Sequence, residues 1–221
     1  MNSDEVSLRE QMLAAICKLD RLGMNRGSTG NLSLRHADGM LITPTGMGAD
    51  ELRAQDLVWL GADGRLRGEW QPSSEWHFHQ AVYARRPDLH AIVHTHSVNA
   101  TALAVLGRGL PAFHYMVAVA GGDSVPCTAY HTFGSQALSK AVATALADRD
   151  ACLLGNHGLV AAGASLARAM KVAQEVEALC EVYLKALAVG EPNPLGSEQM
   201  AEVIEKFRSY GKARVLDGTQ R

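Results

Sequence analysis

Cysteine is scarce and scattered in this chain of 221 residues: Cys17, Cys127, Cys152 and Cys180 never stand in CxxC spacing. The four offer neither a zinc-ribbon ligand set nor a disulfide frame, and read as buried thiols of a reducing compartment. Long apolar runs are missing as well. None approaches the ~20 residues that cross a bilayer, and Met1 to Ser7 has neither the basic nor the apolar region of a secretory leader. Charge of one sign is not in excess: 21 Lys+Arg against 23 Asp+Glu leave a net charge of -2 and a pI near 6.5. That is no electrostatic footprint for nucleic acid or an anionic membrane. Internal repeats and low-complexity segments are absent. The expectation is a cytoplasmic protein without nucleic-acid or membrane partners. With 47% hydrophobic residues, it is long enough for one large domain over residues 1–211, followed by a mobile tail, 212–221.

What is present alternates between hairpins and helices. Residues 3–22 read as an amphipathic helix, with Val6, Met12, Leu13, Ile16, Leu19 and Leu22 near helical spacing and Gly23 as its stop. Residues 31–35 alternate, Ala37-Asp38-Gly39 turns and 40–43 returns, which is a hairpin pattern. A short helix over 49–56 and a second hairpin over 57–67 follow, and consecutive hairpins argue for an antiparallel sheet. A helix opens at Pro72-Ser73-Ser74-Glu75, capped by Ser73 or Ser74 with Glu75 in its first turn, and stops before Pro87. Residues 91–97 form a buried strand. Another helix over 97–106 precedes an apolar run, 111–119, that carries His114 and Tyr115 and reads as a strand. Ser135 caps a helix to Ala147. A strand over 151–162 breaks at Gly155-Asn156-His157-Gly158, and helices over 165–189 and 197–210 complete the chain.

The chemistry starts at His94-Thr95-His96. On a strand, residues two apart share a face, so both imidazoles point one way. A rival pair, His77 and His79, falls on the helix after Pro72, where residues two apart point about 200° from each other and cannot share an ion. Those two read as surface or packing residues. His157, flanked by glycines at a strand break, is the candidate third ligand, and Glu75 supplies a carboxylate. Three imidazoles and one carboxylate suit Zn²⁺, with a catalytic site if one position stays open. Three segments suit a phosphate: the glycine-rich Gly27–Asn31 loop, Thr45-Gly46, and Ser73-Ser74 at a helix start. A metal beside a phosphate cradle points to a small phosphorylated substrate and carbon-acid chemistry, such as aldol cleavage, epimerisation or decarboxylation through a metal-stabilised enediolate. The competing Schiff-base route needs a desolvated lysine. Lys18, Lys140, Lys171, Lys185 and Lys206 all fall on helices with polar neighbours, and Lys212 is in the tail. Trp76, Phe78 and Tyr83 read as core or interface aromatics, and His36, His90 and His131 receive no role.

Taken as an ordered set, Gly27–Asn31, Thr43–Gly46, Pro72–Glu75, Val93–His96, His114–Met116 with Ala120–Gly122, Thr132–Gly134 and Asn156–Gly158 resemble the class II aldolase/adducin family. The likeness runs over nearly the whole chain and is greatest to members that cleave L-fuculose 1-phosphate. It implies one α/β domain of three αβα layers around a mostly antiparallel sheet, in a homotetramer with sites at subunit interfaces. It implies one zinc, or another divalent metal, per subunit on His94, His96 and His157, with Glu75 both a ligand and the acid/base. Ser28, Gly30, Asn31, Thr45, Gly46, Ser73 and Ser74 would hold the phosphate. Tyr115 of a neighbouring subunit would protonate the aldehyde oxygen, and Phe133 and Tyr210 would shape the aldehyde end. The implied reaction is reversible cleavage of a deoxy-ketose 1-phosphate to dihydroxyacetone phosphate and an aldehyde. Arg26, Thr29 and Asn156 depart from the pattern of the L-fuculose 1-phosphate enzymes, which leaves 5-methylthioribulose and 5-deoxyribulose 1-phosphates equally open as substrates, because an apolar pocket separates a methyl from a thioether poorly. The same scaffold carries phosphosugar 4-epimerases, 3-oxo-tetronate 4-phosphate decarboxylases and non-enzymatic adducin-like binding domains. The Tyr115 segment and the complete ligand set favour the aldolase.

Overall fold

The fold is an eight-stranded sheet with helices on both faces, seen in a computed structural model that describes residues 3–209. Helix α1 spans Ser3–Arg21 and is followed by the hairpin β1 (Asn31–His36) and β2 (Gly39–Ile42). The second hairpin is β3 (Val58–Gly61) and β4 (Leu66–Arg67), and α2 spans Trp76–Arg85. Strand β5 (Ala91–Thr95) leads into α3 (Val98–Val105), and β6 (Cys127–Thr128) into α4 (Gln136–Ala145). Strands β7 (Ala151–Leu154) and β8 (Gly158–Gly163) precede α5 (Leu166–Leu187) and α6 (Ser197–Ser209). The strand order is β4-β3-β2-β1-β5-β8-β7-β6, antiparallel throughout except for the edge pair β6–β7. This is the mostly antiparallel α/β sheet that the consecutive hairpins call for.

Strand alternation splits the core in two. Leu32, Leu34, Leu41, Val93, Leu153, Leu159 and Ala161 face α1, α3 and α5, which pack Met12, Leu19, Leu103, Val172 and Val176 against them. Met40, Ile42, Val58, Leu60, Ile92, Leu154 and Val160 face α2 and α4, which supply Phe78, Val82, Leu138 and Val142. Each helix carries an apolar stripe at helical spacing, and burying it is the main drive for this layering. The second face has one polar interruption, at Asn31, Ser33 and His94, which is where the site lies.

Several local expectations shift. The helix expected from Pro72 begins at Trp76, and Glu75 occupies the position before it, without a side-chain cap. The chain stays extended through Ser73 because Thr45 N–H donates to the Gln71 carbonyl (3.0 Å) and Ser73 N–H to that of Thr43 (2.9 Å). Ser73 Oγ then accepts the Glu75 N–H at 3.3 Å. The helix expected over 49–56 is only a 3-10 turn, Ala54–Asp56, closed by Asp56 on the Arg53 N–H at 2.9 Å. The run 111–119 is not a strand. It folds as a 3-10 helix, Tyr115–Ala120, started by Met116 N–H donating to His114 Nδ1 and ended by Gly121 at φ 85°. The cap at Ser135 forms as expected, and Ser165 caps the helix after it in the same way, each hydroxyl accepting a backbone N–H three residues on. Cys152 and Cys180 are buried, whereas Cys17 and Cys127 are half-buried. Among the described residues no helix is long and apolar enough to cross a membrane. Tyr210 and the tail 212–221 lie outside the described residues.

Gly158, the first residue of β8, makes the approach of β8 to β5 possible. A Cβ there would collide with the Thr95 carbonyl oxygen and lie 3.2 Å from His96 Cδ2. Gly158→Ala is therefore expected to destabilise the protein by about 1–3 kcal/mol, as overpacking does, read as a lower urea midpoint at unchanged m-value. An unchanged midpoint would contradict this close packing.

Candidate active site

Three neighbouring pieces of the sheet deliver the three histidines. His94 sits in β5 with its ring on the α2 face, edge-on to Phe78. His96 follows just beyond the end of β5. His157 belongs to the turn between β7 and β8, where Asn156 takes a left-handed φ of 54°. Because β8 pairs with β5 at Thr95↔Leu159, that turn lies beside His96. The three rings meet edge to face, with centroids 4.8–4.9 Å apart, and one nitrogen from each falls within 4.8 Å of the others. His94 Nε2 and His96 Nε2 are 3.0 Å apart. The Nδ1 of His94 is 2.9 Å from the Leu159 carbonyl, to which it donates, and this bond turns Nε2 toward the cluster.

Glu75, at the start of α2, reaches two of the three. Its Oε2 lies 3.2 Å from His94 Nε2 and its Oε1 3.4 Å from His157 Nε2. Oε2 also accepts from Asn31 Nδ2 at 2.9 Å. Oε1 is buried and accepts no hydrogen bond. A bare buried carboxylate oxygen is costly, and here it faces converging imidazoles. This donor set fits a divalent ion of zinc's preferences: three imidazole nitrogens and a carboxylate oxygen at hand.

Burial, charge and hydrogen bonding set the protonation states. Burial pushes the Glu75 carboxyl up, but the facing His94 imidazole, His157 and the Asn31 N–H more than reverse this and hold it at about 2. Burial, joined by the neighbouring His94 ring, drives His96 and His157 down to about 4. Glu75 is thus a carboxylate, and His96 and His157 are neutral imidazoles, at neutral pH, the forms a metal requires.

A cavity of about 320 Å³ opens onto this cluster. Its wall brings together Glu75, His96 and His157 with the phosphate-type residues Ser28, Gly30, Asn31, Thr45, Gly46, Ser73 and Ser74, and Phe133 stands at its edge, 65% exposed. His94 lies behind the wall, fully buried. Tyr115 does not line the cavity of its own chain and is 50% exposed in the 3-10 segment. Four wall residues receive no role in the sequence, Pro44, Tyr130, His131 and Asn156, and Thr29 joins them from the phosphate-suited Gly27–Asn31 loop. Tyr130 and His131 reach the cavity because β6 runs parallel to β7, so both strands release their chains at the same end of the sheet. That pairing has no local sequence signal. His79, read as a surface or packing residue, packs inside and is not at the surface. It is fully buried and hydrogen-bonded on both ring nitrogens, to Asn31 Oδ1 at 2.6 Å and Ser33 Oγ at 2.7 Å. The signal was its place four residues after Glu75, on the same helix face. His77 instead stacks on Trp76, centroids 3.7 Å apart.

Comparisons with known proteins place this architecture. Residues 10–184 match the family described as class II aldolase and adducin N-terminal domain. The chain is 47% identical to the 5-methylthioribulose-1-phosphate/5-deoxyribulose-1-phosphate aldolase of Rhodospirillum rubrum, over 96% of each chain. It is also 47% identical to the L-fuculose phosphate aldolase of Escherichia coli K12, over 92% of this chain and 95% of that one. A solved L-fuculose 1-phosphate aldolase superposes with a TM-score of 0.89 at 37% identity, covering 94% of this chain and 98% of its own.

His79 makes the metal-free protein sensitive to acid. Burial holds its folded value at about 3, while an unfolded histidine titrates near ~6.5. Below that pH the unfolded chain binds the extra proton, so stability falls as pH drops from about 6.5, by up to about 1.4 kcal/mol per pH unit for this one ring. His96 and His157 act in the same direction down to about 4. The part due to Glu75 persists above its ordinary value near 4.5 and is lost only as pH falls toward 2. Urea unfolding of metal-free protein at pH 7.5 and pH 5 is expected to show a larger loss for wild type than for His79→Gln, and equal losses would refute the assignment.

Proposed function

Because this chain belongs to the class II aldolase and adducin family, we propose that it is a zinc-dependent aldolase that reversibly cleaves a deoxy-ketose 1-phosphate to dihydroxyacetone phosphate and an aldehyde. The observation that carries this reading is the convergence, in one cavity, of three imidazole nitrogens, a carboxylate with a bare oxygen and three phosphate-type segments. The relatives' names supply the substrate type: L-fuculose phosphate in one, 5-methylthioribulose and 5-deoxyribulose 1-phosphates in the other.

The division of labour follows the cavity wall. Ser28, Gly30, Asn31, Thr45, Gly46, Ser73 and Ser74 hold the phosphate, using hydroxyls and backbone N–H groups at positions where Gly30 and Gly46 take left-handed φ values of 73° and 71°. His94, His96 and His157, with Glu75 at hand as a fourth ligand, would hold a divalent ion, which would supply positive charge for oxygens that become negative in the reaction. In cleavage the C4 hydroxyl gives up its proton on the Tyr115 side, the bond's electron pair remains with C3, and one proton, balancing the one released at O4, is taken up by Glu75 and delivered to C3 through Oε1, so that the carboxylate ends as it began. The Tyr115 phenol manages the proton on the aldehyde oxygen. That Tyr115 stands clear of its own cavity and half-exposed supports a role in the cavity of a neighbouring copy, in a homotetramer with interface sites. Phe133 and Tyr210 bound the aldehyde end. The free thiols Cys17, Cys127, Cys152 and Cys180 suit a cytoplasmic setting.

Zinc-loaded protein given a panel of ketose 1-phosphates should release dihydroxyacetone phosphate, measured by coupled reduction. Its detection separates the aldolase from the epimerase, decarboxylase and non-enzymatic alternatives. Exhaustive chelation should abolish release, and zinc should restore it. Glu75→Gln, which keeps the shape and removes the proton chemistry, should lower kcat by about 10²–10⁴-fold. Full activity after chelation, or in Glu75→Gln, would sink the mechanism.

A further inference from the structure

Helix α2 meets β1 through polar side chains in the middle of an apolar layer. On the helix side stand Glu75, His79 and Tyr83, four residues apart. On the strand side stand Asn31, Ser33 and Arg35, two apart. Four helical residues rise ~6 Å and two strand residues ~6.7 Å, so the two rows stay in step and interlock. Asn31 bonds Glu75 and His79, Ser33 Oγ lies 2.7 Å from His79 Nδ1 and 2.9 Å from the Tyr83 hydroxyl, and Arg35 donates to the Tyr83 carbonyl at 2.9 Å. All of Asn31, Ser33, Glu75, His79 and Tyr83 are buried.

The directions of these bonds are set by chemistry. The Glu75 carboxylate only accepts, so the Asn31 amide must turn Nδ2 toward it and Oδ1 toward His79. His79 must then carry its proton on Nε2, and its Nδ1 must accept from the Ser33 hydroxyl. Tyr83 is left to donate to the Ser33 side. One flip of the Asn31 amide would set Oδ1 against the carboxylate. We propose that His79 is a positioning residue: its Nε2–H locks the Asn31 amide, which fixes the Glu75 carboxylate through Oε2 and leaves Oε1 as the oxygen presented to the cavity. The catalytic consequence rests on Glu75 acting as the proton carrier. Burial keeps the ring neutral, with its value at about 3, so the lock holds across the working pH range.

Two substitutions separate the two ring nitrogens. The amide of His79→Gln places an N–H near the position of Nε2 and keeps the bond to Asn31. His79→Asn is short, stays near Nδ1 and Ser33, and loses that bond. At saturating zinc, His79→Asn is expected to lower kcat about tenfold or more, the usual scale for residues that orient ligands, with KM for the phosphosugar unchanged. His79→Gln is expected to recover most of kcat. A second readout needs no turnover and is taken on metal-free protein by ¹⁵N NMR. The wild type should show the Nε2–H tautomer of His79 and a slowly exchanging Asn31 amide proton. That protection should persist in His79→Gln and vanish in His79→Asn. Ser33→Ala, which removes the partner of Nδ1, should move both readouts the same way and serves where His79→Asn does not fold. Equal kcat losses in the Gln and Asn variants, an unchanged kcat in His79→Asn, or an Nδ1–H tautomer would overturn the proposal. Wild type without aldolase activity but with the Asn31 protection lost only in His79→Asn would discard the aldolase reading and leave the positioning of Glu75 standing.

Discussion

The polar seam between α2 and β1 is the constraint on which the site depends. It lies among Phe78, Ile42 and Ile92, where an unpaired polar group costs about 1–3 kcal/mol. The cost is avoided because each group finds a partner: Tyr83 on Ser33, Ser33 on His79, His79 on Asn31 and Asn31 on Glu75. A slip of α2 by one residue would break all of these bonds together. The seam therefore sets the register of α2 on the sheet, and with it the depth at which Glu75 stands. The one atom it leaves without a hydrogen bond is Glu75 Oε1, at the end nearest the histidines.

Sheet order then decides what meets that oxygen. Strand β5 lies between β1 and β8, so His94 has Asn31 directly across one ladder and Val160 across the other. The β7–β8 turn brings His157 to the same end, and Gly158 allows β8 the necessary approach to Thr95. The parallel edge pair β6–β7 sends residues 129–133 over the same end. The three histidines, the carboxylate and the cavity wall come from segments far apart in sequence. Their convergence is a property of the strand order.

Much of this was legible beforehand. Hairpins alternate with a period of two and helices with 3.6, so residues 31–42, 91–95, 151–163 and 166–187 declared their type. The histidine pair on β5 was legible because strand geometry alone makes i and i+2 converge. Other features were not. The helix start at Trp76 depended on the Thr43–Ser73 and Thr45–Gln71 backbone bonds, which join strands distant in sequence. The run 111–119 has the composition of a strand, but no sheet edge pairs with it, and it coils into a 3-10 helix beneath α5 and α6. His79 was set aside because it could not share an ion with His77, a sound argument about metal that did not bear on hydrogen bonding. Its spacing from Glu75 held the information, but its meaning required Asn31 and Ser33 to lie opposite.

The sequence by itself determined the kind of most elements, the mostly antiparallel sheet, and the residue types able to bind a metal and a phosphate, because these follow from local periodicity and side-chain chemistry. Only the tertiary structure decided which oxygen of Glu75 is left bare, that Tyr130 and His131 join the cavity wall, that Tyr115 stands away from its own chain's cavity, and that His79 belongs with Asn31. Each of these turns on strand order and helix register. Both are fixed by long-range pairing and by the cost of leaving a buried polar group alone.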